Sequence, residues 1–192
     1  AAMLDKLFDS TRDLDEVGLH HVVAALCKLS SEALIVSQNG REPSFFGIAK
    51  LLHTGMANLH RIEVFWKPLT AHFIEVCGHS YAPLRDWAAV ALTSLVKSAL
   101  RAPTENDQVK HQQMVLSPLC LLSDIALPDV RKRQIDCLMA ILQSDGAHIK
   151  PELWSNNIAI LQSTVSQEAS FNGQLIGHAY TVLRLIATDF VQ

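Results

Sequence analysis

The sequence predicts an all-α fold, an armadillo/HEAT-like right-handed helical repeat array of about eight antiparallel helices. Three observations predict it. Apolar residues recur at three- and four-residue steps along the chain, which is the spacing of one helix face. Period-2 alternation between hairpin turns is absent. The apolar content is mostly Leu, Ala, Val and Ile, with only 6% aromatics, a mixture that favours helix over sheet.

The elements follow in order. Asp13, with Glu16 three residues on, reads as the N-cap of a first helix, and Leu19, Val22, Val23, Leu26, Leu29 and Ala33 line one of its faces. Gln38 to Pro43 stops it. A second helix starts near Ser44 and carries Phe45, Ile48, Ala49, Leu52 and Met56. After Asn58–Arg61 a third carries Ile62, Phe65, Leu69, Phe73 and Cys77, and Gly78-His79-Ser80 ends it. The fourth is the most regular: Leu84, Ala88, Ala91, Leu92, Leu95 and Ala99 form one broad stripe. Pro103 to Asp107 is a loop, and a fifth helix runs from about Gln108 to Ala126. Pro128-Asp129 opens a sixth with Val130, Ile135, Leu138, Ile141 and Leu142 inward, closed by Asp145-Gly146. Two more span roughly Pro151 to Val165 and Phe171 to Phe190.

A repeat runs through these elements. Pro68 and Pro118 lie 50 residues apart, each within an apolar helical run. A turn follows each, then Leu84-Arg85 or Val130-Arg131, 46 residues apart. Leu92 and Leu95 return as Leu138 and Ile141 at the same spacing. A proline bends the first helix of a pair by removing a backbone donor, and a two-helix unit that cannot bury both faces must stack on the next. Asp129 fits the turn aspartate that forms a ladder with an arginine between repeats. Ser80 or Tyr81 stands where the earlier unit would carry its own aspartate. The whole chain, residues 1–192, therefore reads as a single armadillo/HEAT-like segment of a larger protein.

Composition narrows the function. The 192 residues are 49% hydrophobic with mean hydropathy +0.18, so some apolar surface is expected to be covered from outside the segment. A net charge of −3 gives no electrostatic reason to expect nucleic acid. Cys27, Cys77, Cys120 and Cys137 are far apart and form no CxxC pair, as expected of free thiols in a reducing, cytosolic compartment. No apolar run reads as a signal core or a membrane span.

No HExxH, GxSxG, P-loop or GxGxxG motif occurs, so no catalytic, cofactor-binding or metal residue is assigned and the segment is expected not to be an enzyme. Adjacent His20 and His21 point about 100° apart on a helix and cannot chelate as an i,i+4 pair. His72, Cys77 and His79 lie near one helix end that could bring two ligands together, but the favoured reading is a half-buried histidine and a core thiol. Asn58, Arg61 and Trp66 lie around one inter-helix junction and are candidates for partner or inter-repeat contact. Arg131, Lys132 and Arg133 form the densest basic run. They are candidates for anionic-lipid or acidic-partner contact, beside the plainer reading of a solvated helix face. Exposed apolar ends of the array also allow a homodimer.

Specific stretches resemble a known family. Asn58-Leu59-His60-Arg61-Ile62-Glu63-Val64-Phe65-Trp66 is similar to the Asn-x-x-Arg-Ile…Trp signature of the first homology region downstream of the exchange domain in large Arf guanine-nucleotide exchange factors. Ala25-Leu26-Cys27-Lys28-Leu29-Ser30 resembles that superfamily's Ala-Leu-Cys-x-x-Ser helix, and Leu116-Ser117-Pro118-Leu119 and Val130-Arg131 resemble later segments. Leu7 to Ser10, Arg41 to Ser44, His60 to Val64 and Thr188 to Phe190 look most like a branch that lacks the catalytic domain. This resemblance implies a non-catalytic scaffold in endosome-to-Golgi and trans-Golgi traffic, peripheral on trans-Golgi network and endosome membranes. It also implies a Dopey-family protein, a phospholipid flippase and Arf-like GTPase machinery as partners. The superfamily leaves open an alternative, a regulatory helical-repeat domain of a catalytically active exchange factor.

Overall fold

A computed structural model describes residues 2–37, 42–104, 107–166, 173 and 175–190. Nine α-helices occur among them: α1 (Ala2–Asp9), α2 (Glu16–Ser37), α3 (Phe46–Ala57), α4 (Trp66–Cys77), α5 (Ala82–Arg101), α6 (Gln108–Leu121), α7 (Pro128–Asp145), α8 (Trp154–Ser166) and α9 (Ile176–Asp189). Short 3-10 turns connect several of them. The helices form two layers. Within one, α3 packs on α1 and α5, and α7 packs on α5 and α9. Within the other, α4 packs on α2 and α6, and α6 packs on α8. Leu69, Phe73, Leu84, Leu92, Leu95 and Leu138, all fully buried, belong to the core between the layers. This is the all-α repeat array that the periodicity predicts.

Polar partner spacing shows which helices run parallel. Lys50 Nζ pairs with Asp5 Oδ1 at 2.6 Å and His53 Nε2 meets Asp9 Oδ1 at 2.8 Å, offsets of 45 and 44 residues. Both partners advance together, so α1 and α3 point the same way. On α5 and α7, Arg85 pairs with Asp129 at 2.6 Å and Arg101 with Asp145 at 2.7 Å, and Thr93 faces Cys137 between them. All three pairs are offset by 44, so these helices are parallel along their whole length. The ladder, expected to be incomplete because Ser80 or Tyr81 replaces the earlier unit's aspartate, has this one rung from the turn aspartate, with Arg85 of the earlier unit donating to Asp129 of the later.

Several local expectations are corrected. The array has one more helix than the eight read from periodicity, because Ala2–Asp9 is itself helical. The Ser10 and Thr11 hydroxyls close it by donating to the Leu7 and Phe8 carbonyls at 2.8 and 2.6 Å. Asp13 lies in the 3-10 turn Ser10–Asp13 that follows. The cap of α2 is instead Asp15, whose Oδ1 accepts from the Gly18 N–H at 2.6 Å. The buried stripe of α2 is Leu19, Val23, Leu26, Ser30 and Leu34, so Leu29 falls off it and is exposed. The third helix begins at Trp66, since Leu59–Val64 is a 3-10 turn interrupted at Arg61 (φ −136°, ψ 47°). Pro68 therefore sits in the first turn of α4, where the helix has no use for its missing N–H, and it bends nothing. Pro118 does lie inside α6. That helix stops at Leu121, with a 3-10 turn over Leu122–Asp124. The stop expected at Gln38 to Arg41 and the helix start expected at Phe171 lie outside the described residues.

Two glycines mark close approaches. A Cβ on Gly47 would stand 2.9 Å from the Ser30 backbone N, so α3 lies directly against α2. A Cβ on Gly146 would lie 2.5 Å from the Phe190 ring, which also contacts Trp154 at a 5.0 Å centroid distance.

Candidate functional site

Asn58 and Arg61 are joined, and they face inward. Asn58 is fully buried. Its Nδ2 donates to Thr11 Oγ1 at 2.8 Å and to the Thr54 carbonyl at 2.9 Å. Its Oδ1 accepts from Arg61 Nε at 3.1 Å and Nη2 at 2.8 Å. The same guanidinium reaches across to the carbonyls of Thr11 at 2.7 Å, Arg12 at 3.2 Å and Leu14. Arg12 returns the contact, donating from Nε to the Ala57 carbonyl at 3.0 Å. The non-helical backbone at Arg61 is what aims its side chain at this turn. Planar five-donor geometry suits arginine to gathering several carbonyls at once. Both residues tie the turn after α3 to the turn after α1.

Trp66 is also buried. Its Nε1 donates to the Met114 carbonyl at 2.9 Å, linking α4 to α6. That carbonyl needs the help. Its normal helical donor would be the N–H of residue 118, and Pro118 has none. Ser117 Oγ donates to the same oxygen at 2.9 Å. The helix interrupted by proline is thus completed by the indole of the neighbouring repeat.

Arg131, Lys132 and Arg133 do not form one cationic surface. Arg131 is fully buried, with Nη2 donating to Ser163 Oγ at 2.7 Å and Thr164 Oγ1 at 3.2 Å, and Nη1 bonded to Gln134. Burial pulls its pKa below the ordinary arginine value, opposed by the charge of Asp124. Arg133 is bonded to Asp86 on α5 and lies 3.9 Å from Asp136. Only Lys132 of the three is fully exposed. Consecutive residues on a helix point in different directions, so a basic run in sequence is divided between core, ladder and solvent.

The thiols and His72 also sit within the packing. Burial pushes the Cys77 thiol up to about 12 and the Cys27 and Cys137 thiols to about 11, which suppresses the nucleophilic thiolate. His72 is buried and held below its ordinary pKa, mainly by burial, against an opposing pull from Glu75. His79 Nδ1 instead accepts from the Tyr81 N–H at 3.1 Å. Among the described residues no three His, Cys, Asp or Glu side chains converge on a metal position. No helix among them is long and apolar enough to cross a membrane.

What the surface offers is apolar. Met3, Leu4 and Leu7 are exposed on α1, the outermost helix of its layer at one end. Ile176, Tyr180 and Leu183 are exposed on α9 at the other, spaced four and three residues apart as one stripe. Single exposed apolar residues are ordinary, but a stripe at helical spacing is a packing surface. Apolar ends are expected where the chain starts and ends close to helices, and in the sequence the signal for the α9 stripe is the i, i+4, i+7 spacing of Ile176, Tyr180 and Leu183.

No family model matches the chain. Curated relatives do. It is 42% identical over 193 aligned residues to the protein MON2 homolog of Xenopus laevis, covering 98% of this chain and 11% of the relative. It is 41% identical to the protein MON2 homolog of Homo sapiens, with the same coverage. A more distant match, 27% identical over 141 residues, is the ADP-ribosylation factor guanine nucleotide-exchange factor sec71 of Schizosaccharomyces pombe, covering 69% of this chain and 8% of that protein.

Proposed function

The chain belongs to the MON2 family, and from that premise we propose that it is a non-catalytic scaffold segment acting in endosome-to-Golgi and trans-Golgi membrane traffic by binding other proteins. The chain spans about a ninth of the length of the curated relatives it matches, and the proposal takes it as one block in a longer polypeptide. One observation carries the binding role: Arg61, Trp66 and Arg85 are engaged in holding repeat to repeat, while apolar side chains stand exposed on α1 and α9. Such surfaces are suited to further helices. A Dopey-family protein, a phospholipid flippase and Arf-like GTPase machinery are the partners proposed for the assembled scaffold, on membranes it meets peripherally.

The test is deletion of this segment from the full-length protein in cells, followed by imaging of Golgi recruitment and quantification of co-purified partners. Loss of one or more interactions is expected. Unchanged recruitment and a full set of partners would refute the scaffold role of the segment.

The match to an Arf exchange factor favours a second reading, a regulatory repeat domain beside an exchange domain. Nucleotide exchange on an Arf GTPase by the full-length protein, with and without the segment, separates the two.

A further inference from the structure

A groove of about 1000 Å³ lies where the turn after α5 and the turn after α7 stand beside the first turns of α6. Its floor includes His111, which is buried. His111 Nε2 lies 3.2 Å from the Ala99 carbonyl. A carbonyl only accepts, so in the neutral ring Nε2 carries the hydrogen and Nδ1 is an acceptor. Nδ1 is buried and has no partner. The far wall is fixed by Gln112, whose Nε2 donates to the His148 carbonyl at 2.9 Å and whose Oε1 accepts from the Lys150 N–H at 2.9 Å. Gln112 thereby fixes the His148–Lys150 turn against α6.

The charge of the lining opposes that of the whole chain. Arg101 and Lys150 face the groove with one carboxylate, Asp145, and that carboxylate is already bonded to Arg101 at 2.7 and 3.1 Å. No carboxylate among the described residues lies within ion-pair distance of Lys150. Among the described lining residues, Arg101 and Lys150 stand against the single carboxylate of Asp145, in a chain of net charge −3. Leu100, Pro103, Ile149 and Pro151 supply apolar wall.

We propose that this groove is a binding site for an extended acidic peptide segment of a partner protein, with a carboxylate on Lys150 and a backbone N–H toward His111 Nδ1. The inference rests on the reading of the segment as a protein-binding scaffold, and it commits that reading to a site. An extended chain suits an open cleft that offers apolar wall, a lone ammonium and an unmet acceptor, and complementary charge sets its sign.

The experiment selects peptides from a phage-displayed library of random decapeptides on the immobilised 192-residue chain. Two variants serve as controls: Ala147→Trp, which fills the groove from an exposed lining position, and Lys150→Glu. Circular dichroism melting checks that both remain folded; should Lys150→Glu melt early, Lys150→Gln replaces it. Enrichment of peptides rich in Asp and Glu is expected, with affinity lowered about tenfold or more by each variant. No enrichment, enrichment of basic or purely apolar peptides, or affinities that neither variant changes would overturn the proposal. So would displacement of the selected peptide by equimolar glutarate, which would assign the site to a small free anion. Undiminished capture of full-length partners by both variants would overturn the groove assignment while leaving the scaffold role standing.

Discussion

Trp66 donates its indole hydrogen to the Met114 carbonyl across the α4–α6 contact, at 2.9 Å, and that carbonyl is the one Pro118 leaves without its helical donor. The pair couples a break in one helix to a side chain of the repeat before it.

Trp66→Phe keeps most of the buried ring and removes the donor, so it should cost about 1–2 kcal/mol. In a Pro118→Ala background residue 118 regains its N–H, and the same substitution should cost less than half as much. Urea unfolding of the four proteins in a double-mutant cycle measures the difference. Equal costs in both backgrounds would mean the indole is not compensating for the proline.

Asn58→Ala removes the hub that holds Thr11, Thr54 and Arg61 together, in a site with no exposure. A loss of about 2–3 kcal/mol is expected from the buried groups left unpaired. Arg61→Lys should loosen the same turn, because an ammonium cannot span the Thr11, Arg12 and Leu14 carbonyls at once. Hydrogen exchange should then rise in α1 well before the rest of the array. Uniform exchange across all helices would contradict the hub assignment.

The basic run divides sharply by position. Arg131→Ala strips a fully buried side chain from Gln134, Ser163 and Thr164 and should destabilise by about 3 kcal/mol or more. Lys132→Ala, on the exposed face, should change stability by under about 0.5 kcal/mol. Melting curves of the two variants, compared side by side, check the contrast.

Stability should fall as the pH drops below the ordinary histidine range. Burial lowers the pKa of His72 from 6.5, so between the folded and unfolded values the unfolded chain binds more protons. The contribution is complete above about pH 6.5 and is lost as acid protonates the unfolded imidazole first. His72→Gln should flatten the slope of unfolding free energy between about pH 7 and pH 5; an unchanged slope would point to other groups. A second decline is expected below the ordinary carboxylate range. There Lys50 holds Asp5 low by its hydrogen bond and charge, and Asp145 is held low by Arg101 and Ser144 despite opposing burial.

The layered fold was legible because burial follows the helical period: Leu84, Ala88, Leu92, Leu95 and Ala99 read as one stripe and are all buried. Helix ends were less legible. Asp13 and Asp15 both precede the stripe of α2, and sequence alone does not say which carboxylate meets an open N–H. The roles of Asn58, Arg61 and Trp66 were legible only as a choice between partner contact and inter-repeat contact, since the Thr11 hydroxyl, Thr11 carbonyl and Met114 carbonyl they reach lie 47, 50 and 48 residues away. The Arg131–Arg133 run misled because local charge density carries no information about rotation around the helix axis. The constant 44-residue offset of Arg85–Asp129 and Arg101–Asp145 was present in the sequence, but it emerges only when parallel neighbours are known.

That constant offset has a mechanical consequence. Two ion pairs sixteen residues apart lock α5 to α7 against both sliding and twisting, so this joint carries load as a strut. Between α7 and α9, among the described residues, the corresponding polar contact is one 3.9 Å approach of His178 to Asp136, a weaker tie than the α5–α7 pairs. Tension applied along the array would therefore bend it toward its α9 end first, leaving the curvature across α5 and α7 unchanged.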